Sequence, residues 1–310
     1  MIEARNLTKR YGDKVAVDQI SFTIEPGTVT GFLGPNGAGK STTMRMIVGL
    51  DRPTAGTVTV NGKPYAAHRS PLNEVGALLD AKAVHTGRSA RSHLRTMAAT
   101  HGISTRRVDD VIEMTGLAGV AGKRVGGFSL GMGQRLGIAS AMLGDPRTLI
   151  LDEPVNGLDP EGVVWVRTLV RRLAAEGRTV FLSSHLMSEM AQTADQLLVI
   201  GRGRIITAGP VQDVIDGATG SAVRVRSPQA ADLAALAQAD GAAVTIPETG
   251  VVELRGISAE QVGETAARHG IVLHELTPRR ASLEEAYMHL TQDAVEYRSE
   301  TAPAAMEAAR

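Results

Sequence analysis

Short apolar runs, separated first by glycine turns and later by helical stretches, set the layout of this chain. Residues 1–30 alternate apolar and polar positions as half-buried strands do, and Ser21-Phe22-Thr23-Ile24 leads into the turn signal Glu25-Pro26-Gly27. Val29 to Leu33 is uninterrupted and apolar, and Thr43 to Val48 beyond it reads as helix. A loop and a strand follow, closed by the tight turn Asn61-Gly62. From His85 to about Gly122 the period becomes helical: Val108, Val111, Ile112 and Leu117 line one buried stripe, while Arg88, Arg91 and Arg95 recur on a solvated face. Thr148 to Leu151 is a short, fully apolar run, the pattern of a parallel strand covered on both faces. Thr179 to Ser184 forms another strand, and Leu197 to Ile200 is joined to Ile205-Ile206 by the hairpin turn Gly201-Arg202-Gly203-Arg204. Such alternation of strand and helix predicts an α/β fold.

Between the second apolar strand and the helix after it lies Gly34-Pro35-Asn36-Gly37-Ala38-Gly39-Lys40-Ser41-Thr42, which fits G-x-x-x-x-G-K-[ST]. The order strand, glycine turn, helix is what a phosphate loop requires, because backbone N–H groups must curl around phosphates while the helix N-terminus adds its positive end. In that reading Lys40 reaches the β and γ phosphates and the Ser41 hydroxyl holds Mg²⁺. The strand Thr148 to Leu151 ends in Asp152 and Glu153, at the edge where open α/β sheets bind ligands. Asp152 suits the Walker-B part of holding Mg²⁺, and Glu153 that of orienting or deprotonating the attacking water. His185 ends the following strand at the same edge, within reach of a γ-phosphate.

Composition narrows the function classes. The chain has 310 residues, long enough for a large nucleotide-binding domain and a smaller appendage. Its 33 basic and 33 acidic residues balance, so it lacks the strong basic field of a dedicated nucleic-acid binder. There is no cysteine, hence no disulfide framework and no thiolate metal site. The amino terminus lacks a secretory signal, and no apolar run approaches the ~20 residues needed to span a bilayer. Any membrane role must come through a partner.

Together these residues resemble the ATP-binding subunits of ABC transporters over about residues 2–216. Phe128-Ser129-Leu130-Gly131-Met132-Gly133-Gln134-Arg135 looks like the signature loop of that family, Asn156-Gly157-Leu158-Asp159 like its D-loop, His185 like its switch histidine, and Tyr11 like the aromatic that stacks on adenine. The resemblance implies ATP and Mg²⁺ as ligands. It also implies that Ser129 and Gly131 serve nucleotide held by a second copy, so that a homodimer sandwiches two ATP molecules, and that Asp159 is a nucleotide-binding residue of the D-loop. Two departures stand out: Leu130 and Met132 replace the usual glycine and glutamine, and Val75-Gly76-Ala77-Leu78-Leu79-Asp80 ends in aspartate where the family has its Q-loop glutamine. Asp80 can offer Mg²⁺ a hard oxygen or cap the next helix, but it cannot donate a hydrogen bond as an amide does. The signature type, the Leu-Leu-Asp segment and the helix Ala281 to Leu290 are similar to drug-resistance exporters of the daunorubicin type. That likeness implies efflux of a drug-like or lipophilic compound through a separate membrane-spanning permease, with the chain held at the cytoplasmic face of the membrane. The competing classes are a soluble ATPase of this family acting on ribosomes or nucleic acid, and a nucleotide-dependent regulatory module.

The implied fold is a P-loop NTPase domain of the ABC ATPase type over 1–216, a mixed sheet core plus a helical subdomain at about 82–145, followed by a linker at 217–221. Over 222–296 the pattern runs strand 222–226, helix 230–238, strands 243–246 and 251–255, helix 259–268, strand Val272 to Leu276 and a closing helix, a small α+β domain of split, ferredoxin-like order. No acid-base pair or glycine cradle lies there, which suits a regulatory or assembly module. The tail 297–310 reads as disordered.

Overall fold

The computed structural model describes residues 1–80, 83–219, 222–279 and 281–292. In chain order the strands are β1 (Ile2–Tyr11), β2 (Lys14–Ile24), β3 (Val29–Leu33), β4 (Ala55–Val60), β5 (Val75–Leu78), β6 (Thr148–Leu151), β7 (Thr179–Ser183), β8 (Gln196–Gly201), β9 (Arg204–Pro210), β10 (Ala222–Arg226), β11 (Ala243–Glu248), β12 (Val251–Arg255) and β13 (Glu275–Arg279). The helices are α1 (Lys40–Ile47), α2 (Pro71–Glu74), α3 (Ala90–Thr100), α4 (Thr105–Met114), α5 (Leu130–Met142), α6 (Pro160–Ala175), α7 (Met187–Thr193), α8 (Val211–Thr219), α9 (Ala230–Ala239), α10 (Ala259–Arg268) and α11 (Leu283–Thr291). None of them is long and apolar enough to cross a membrane, among the described residues.

Two compact units emerge, Met1–His185 with Leu198–Thr207, and Leu186–Leu197 with Ala208–Leu290. The first is organised by a six-stranded sheet of order β5-β6-β7-β3-β8-β9, in which β5, β6, β7 and β3 run parallel, and by an antiparallel sheet β2-β1-β4. β3, β6 and β7 are buried at every position, as their unbroken apolar runs predict. α1 drives Met44, Met46 and Ile47 into a core that joins Ile2, Leu7 and Ile24 of the small sheet to Phe32, Ile150 and Phe181 of the large one. Phe181 stacks on Phe32 at 5.1 Å between ring centroids and on Phe22 at 6.2 Å, and burying each such ring stabilises by roughly 1.5–3 kcal/mol. The site that sits on these strand ends thus has a rigid base.

The helical stretch expected from His85 to Gly122 is broken into α3 and α4, each capped by a serine: Ser89 accepts from Ser92 N–H and Ser104 from Arg107 N–H. Val108, Val111, Ile112 and Leu117 are buried as the periodicity requires. Arg88 and Arg95 are exposed, and Arg91 pairs with Asp109 across the two helices.

In the second unit β10 to β13 form an antiparallel sheet of order β11-β12-β10-β13, with α9 and α10 supplying the apolar cluster of Leu233, Ala237, Val262 and Ala266 against Val223, Val225, Val252 and Leu254. The connection order strand, helix, strand, strand, helix, strand is that of a split βαβ unit. Two details differ from expectation. The last strand is β13 at Glu275–Arg279, not Val272–Leu276; Ile271 and Leu273 pack on the core without strand pairing, and β13 lies at the sheet edge, where Pro278 can forgo an N–H bond. Residues 217–219, expected in a linker, are the last turn of α8, because Val214 and Ile215 are buried and hold the helix through Gly217. Residues 220–221, and the expected tail at 297–310, lie outside the described residues.

Candidate active site

Three strand ends converge at one edge of the large sheet. β7 lies between β3 and β6, with Ser183 paired to Phe32 on one side and Leu182 to Leu151 on the other. The glycine loop after β3 and the two acids after β6 therefore flank Ser183, each about one strand spacing, ~4.8 Å, away.

The loop needs glycine for contact as much as for conformation. A Cβ on Gly34 would lie 2.4 Å from the Ile200 carbonyl oxygen, and one on Gly39, whose φ is +110°, 2.6 Å from that of Ala16. Pro35 accepts the Ala38 N–H at 3.1 Å, Ala38 in turn accepts the Gly203 N–H at 3.0 Å, and Asn36 and Gly37 (φ +80°) form the exposed crest. Gly39 then opens α1 without any side-chain cap. Lys40, Ser41 and Thr42 begin the helix with N–H groups that have no carbonyl inside it to bind, which makes an anion site. Lys40 arches back over the loop, Nζ donating to the carbonyls of Gly34 at 2.6 Å and Pro35 at 3.3 Å. Burial lowers its pKa, against the pull of the Glu153 and Asp152 carboxylates. A phosphate in the loop would reinforce that pull and hold the ammonium charged.

Across the edge, Asp152 is gripped at both oxygens: Ser41 Oγ donates to Oδ2 at 2.6 Å and Ser183 Oγ to Oδ1 at 2.5 Å. A hydroxyl and a carboxylate in contact beside a phosphate loop are the hard donors that Mg²⁺ takes when its other ligands are phosphate oxygens and water. The residues present fit that ion. Among the described residues no group of three or more His, Asp or Glu side chains is placed to hold a metal ion by itself. Asp80 follows β5, is exposed, and lines with Ser41 and Asp152 a cavity of about 650 Å³.

Glu153 is held more tightly still. Its backbone has φ +51°, a left-handed conformation that costs a non-glycine residue about 1 kcal/mol or more. Its N–H donates to Ser183 Oγ at 2.9 Å, and its carbonyl accepts Gln134 Nε2 at 2.7 Å. Its carboxylate accepts the His185 N–H at 3.2 Å and lies 2.6 Å from His185 Nδ1. An ionised carboxylate only accepts, so Nδ1 carries the proton in this pair and Nε2 is left as the second ring nitrogen.

The other expected residues are placed less directly. Ser129 caps α5, its hydroxyl accepting the Met132 N–H at 3.2 Å, and it is exposed. A Cβ on Gly131 would approach the Gly157 carbonyl oxygen to 3.1 Å, and one on Gly157 would come within 2.2 Å of Leu130 Cδ2, so the signature turn and the D-loop pack on each other in one chain. Asp159 caps α6, accepting the Gly162 N–H at 2.9 Å. Tyr11 ends β1 with its ring about half exposed; its hydroxyl donates to Asp51 Oδ2 at 2.8 Å, and Asp51 is paired with Arg45 of α1. Its phenol pKa is raised by burial and then by Asp51, while Arg45 holds the Asp51 carboxyl below the usual range. One chain thus brings together Lys40, Ser41, Asp152, Glu153 and His185, with Ser129 and Gly131 forming a separate turn.

Sequence reasoning missed three contributors. Ser183 carries no motif, and only the β6-β7-β3 order reveals that its hydroxyl bridges Asp152 and Glu153. Gln134 belongs to the signature stretch, and nothing in its spacing points to its bond to the Glu153 carbonyl. Asp51, just beyond α1, anchors Tyr11.

Comparison with known proteins agrees with this geometry. The ABC transporter family model matches residues 17–156, a model described as AAA domain, putative AbiEii toxin, Type IV TA system, matches 124–191, and a domain of unknown function, DUF8746, matches 221–284. The bacitracin transport ATP-binding protein BcrA of Bacillus licheniformis is 41% identical over 213 residues, covering 68% of this chain and 70% of that one. The uncharacterized ABC transporter ATP-binding protein YhcH of Bacillus subtilis (strain 168) is 35% identical over 303 residues, 96% of this chain and 97% of that one. The Nod factor export ATP-binding protein I of Burkholderia lata is 34% identical, covering 94% and 96%. Among solved structures, an ATP-binding subunit of an ABC transporter superposes with TM-score 0.64 at 26% identity, covering 70% of this chain and 92% of that one. A dimeric bacterial ABC transporter cassette, at 23% identity and TM-score 0.63 over 68% and 98% of the two chains, shares the fold. With a phosphate loop, a paired Asp-Glu strand end and a signature turn on one scaffold, and relatives matched along nearly the whole length, the chain belongs to the ATP-binding proteins of ABC transporters.

Proposed function

We propose that this ATPase powers an exporter, two copies clasping two ATP molecules and driving a drug-like or lipophilic compound through a separate membrane-spanning permease. The observation that carries the hydrolytic half is the Ser41, Asp152, Ser183, Glu153 and His185 chain of hydrogen bonds at the mouth of the phosphate loop. In this reading the loop N–H groups and Lys40 bind the β and γ phosphates, and Tyr11 offers its ring to the base. Ser41 and Asp152 hold Mg²⁺, with Asp80 as a further oxygen at the same cavity; the ion would neutralise charge on the phosphate oxygens. Glu153 orients a water and takes its proton, and His185 leaves Glu153 to contact the γ-phosphate.

Ser129 and Gly131 of each copy meet the γ-phosphate held by the other, and Asp159 lies at the seam beside them. Loss of that phosphate on hydrolysis removes the contact holding the copies together, so the pair opens and the cycle can drive the permease. Residues 1–216 serve as the ATPase region and 222–296 as a regulatory or assembly module. Through the permease the chain is held at the cytoplasmic face of the membrane, and no nucleic acid takes part. Export is supported by the names of the relatives, which include bacitracin transport and Nod factor export proteins.

A polypeptide with membrane spans is expected to be encoded beside this chain, and co-expression of the two tests the proposal. The two are expected to copurify and to lower cellular accumulation of an exported compound, and Glu153→Gln should abolish the effect. A hydrolytically active chain that neither copurifies nor changes accumulation contradicts it.

A further inference from the structure

We propose that Gln134 is a positioning residue for the hydrolytic carboxylate, tying the backbone of Glu153 to the signature helix α5 of its own chain. The inference rests on the reading of Glu153 as the residue that orients water.

Glu153 keeps its left-handed backbone because three separate elements hold it. β7 accepts its N–H through Ser183, the segment after β7 binds its carboxylate through His185, and α5 binds its carbonyl through Gln134 Nε2 at 2.7 Å. The first two contacts are ordinary edge-of-sheet bonds. The third comes from an amide that is only 5% exposed and whose Oε1 has no hydrogen-bond partner. An unpartnered buried carbonyl oxygen is destabilising, and a methionine of similar length would fill the same space without one. What the amide adds, and an apolar side chain cannot, is the bond to Glu153.

The location of Gln134 gives that bond a consequence. α5 begins just after Ser129, whose hydroxyl caps it, and Gln134 stands in its second turn. A helix moves as a rigid rod over so short a distance, so a displacement of the signature turn toward an anion carries the amide with it. The amide in turn pulls on the Glu153 carbonyl and rotates the carboxylate relative to His185. Occupancy of the signature turn and orientation of the carboxylate on the same chain are thereby linked through one hydrogen bond.

Steady-state phosphate release from the full chain with Mg²⁺ and varied ATP measures the link. Gln134→Met is expected to lower kcat about tenfold or more, since small misplacements of a positioned group have effects of that order, while KM for ATP stays within about twofold and Tm does not fall. Combined with Glu153→Gln, the same change is expected to alter the residual rate by less than about twofold, because no carboxylate remains to be oriented. Gln134→Leu repeats both measurements should the methionine variant fold poorly. The link is overturned if Gln134→Met keeps the parent kcat, if KM rises in step with the fall in kcat, or if it slows the parent and the Glu153→Gln background equally. Glu153→Gln hydrolysing at the parent rate overturns the underlying role of Glu153 instead, a result separate from any of these.

Discussion

Two helix N-termini in the first unit, those of α1 and α5, are given anion-binding roles in the proposal and have opposite constructions. α1 opens at Gly39, a left-handed residue with no side chain to offer, and its first N–H groups stay bare. α5 opens at Ser129, whose hydroxyl already accepts the Met132 N–H at 3.2 Å. The bare end has a lysine folded over it and glycines that no Cβ can replace, so it is shaped to enclose phosphate by itself. The capped end is exposed at Ser129 and Leu130, and it still has one thing to give, because a serine hydroxyl that accepts an N–H keeps its own proton to donate. The contrast fits the proposed division of labour: α1 forms a phosphate loop within one chain, while α5, with a free hydroxyl proton and no loop of its own, would supply one wall to nucleotide held by a second copy.

Breaking the α1 side should have the largest effect. Lys40→Ala removes the cation that bridges loop and phosphates, and ATP affinity is expected to fall at least a hundredfold, roughly the 3 kcal/mol by which a buried charge-assisted hydrogen bond is lost; equilibrium dialysis reads it. A variant retaining parent affinity would remove Lys40 from the site. Altering the α5 side should be milder and should separate binding from turnover. Ser129→Ala is expected to leave ATP affinity of the single chain unchanged, to lower kcat about tenfold, the scale of one lost hydrogen bond of ~1.4 kcal/mol, and to reduce stability by about 1 kcal/mol through the lost cap. Loss of ATP affinity in the isolated chain would instead place Ser129 in its own nucleotide site and end the contrast.

Much of this was legible in the sequence because the chemistry sits where local pattern is strongest. Gly34 to Thr42 carries a fixed spacing between a strand and a helix, and β6 announces its acids by an unbroken apolar run. What the sequence hid depends on which strands become neighbours. Ser183 looks like any polar strand end until β7 is inserted between β3 and β6, and Gln134 looks like a helix residue until its amide meets the Glu153 carbonyl just past β6. Gly217 pointed to a linker, yet two buried residues on α8 outweigh one glycine. The strand expected at Val272–Leu276 starts later for a similar reason: Ile271 and Leu273 pack against the core, while backbone bonding to β10 begins at His274, whose N–H donates to the Arg226 carbonyl, and the paired register at Glu275.

Sedimentation velocity of Glu153→Gln, with and without ATP, tests the central claim most directly. ATP should convert the variant from single chains to a pair holding two nucleotides, and adding Ser129→Asp, which sets a negative charge against the partner's γ-phosphate, should return it to single chains that still bind ATP. A variant that binds ATP yet stays single at every concentration, or that pairs equally well without nucleotide or with aspartate at position 129, would contradict the shared pocket.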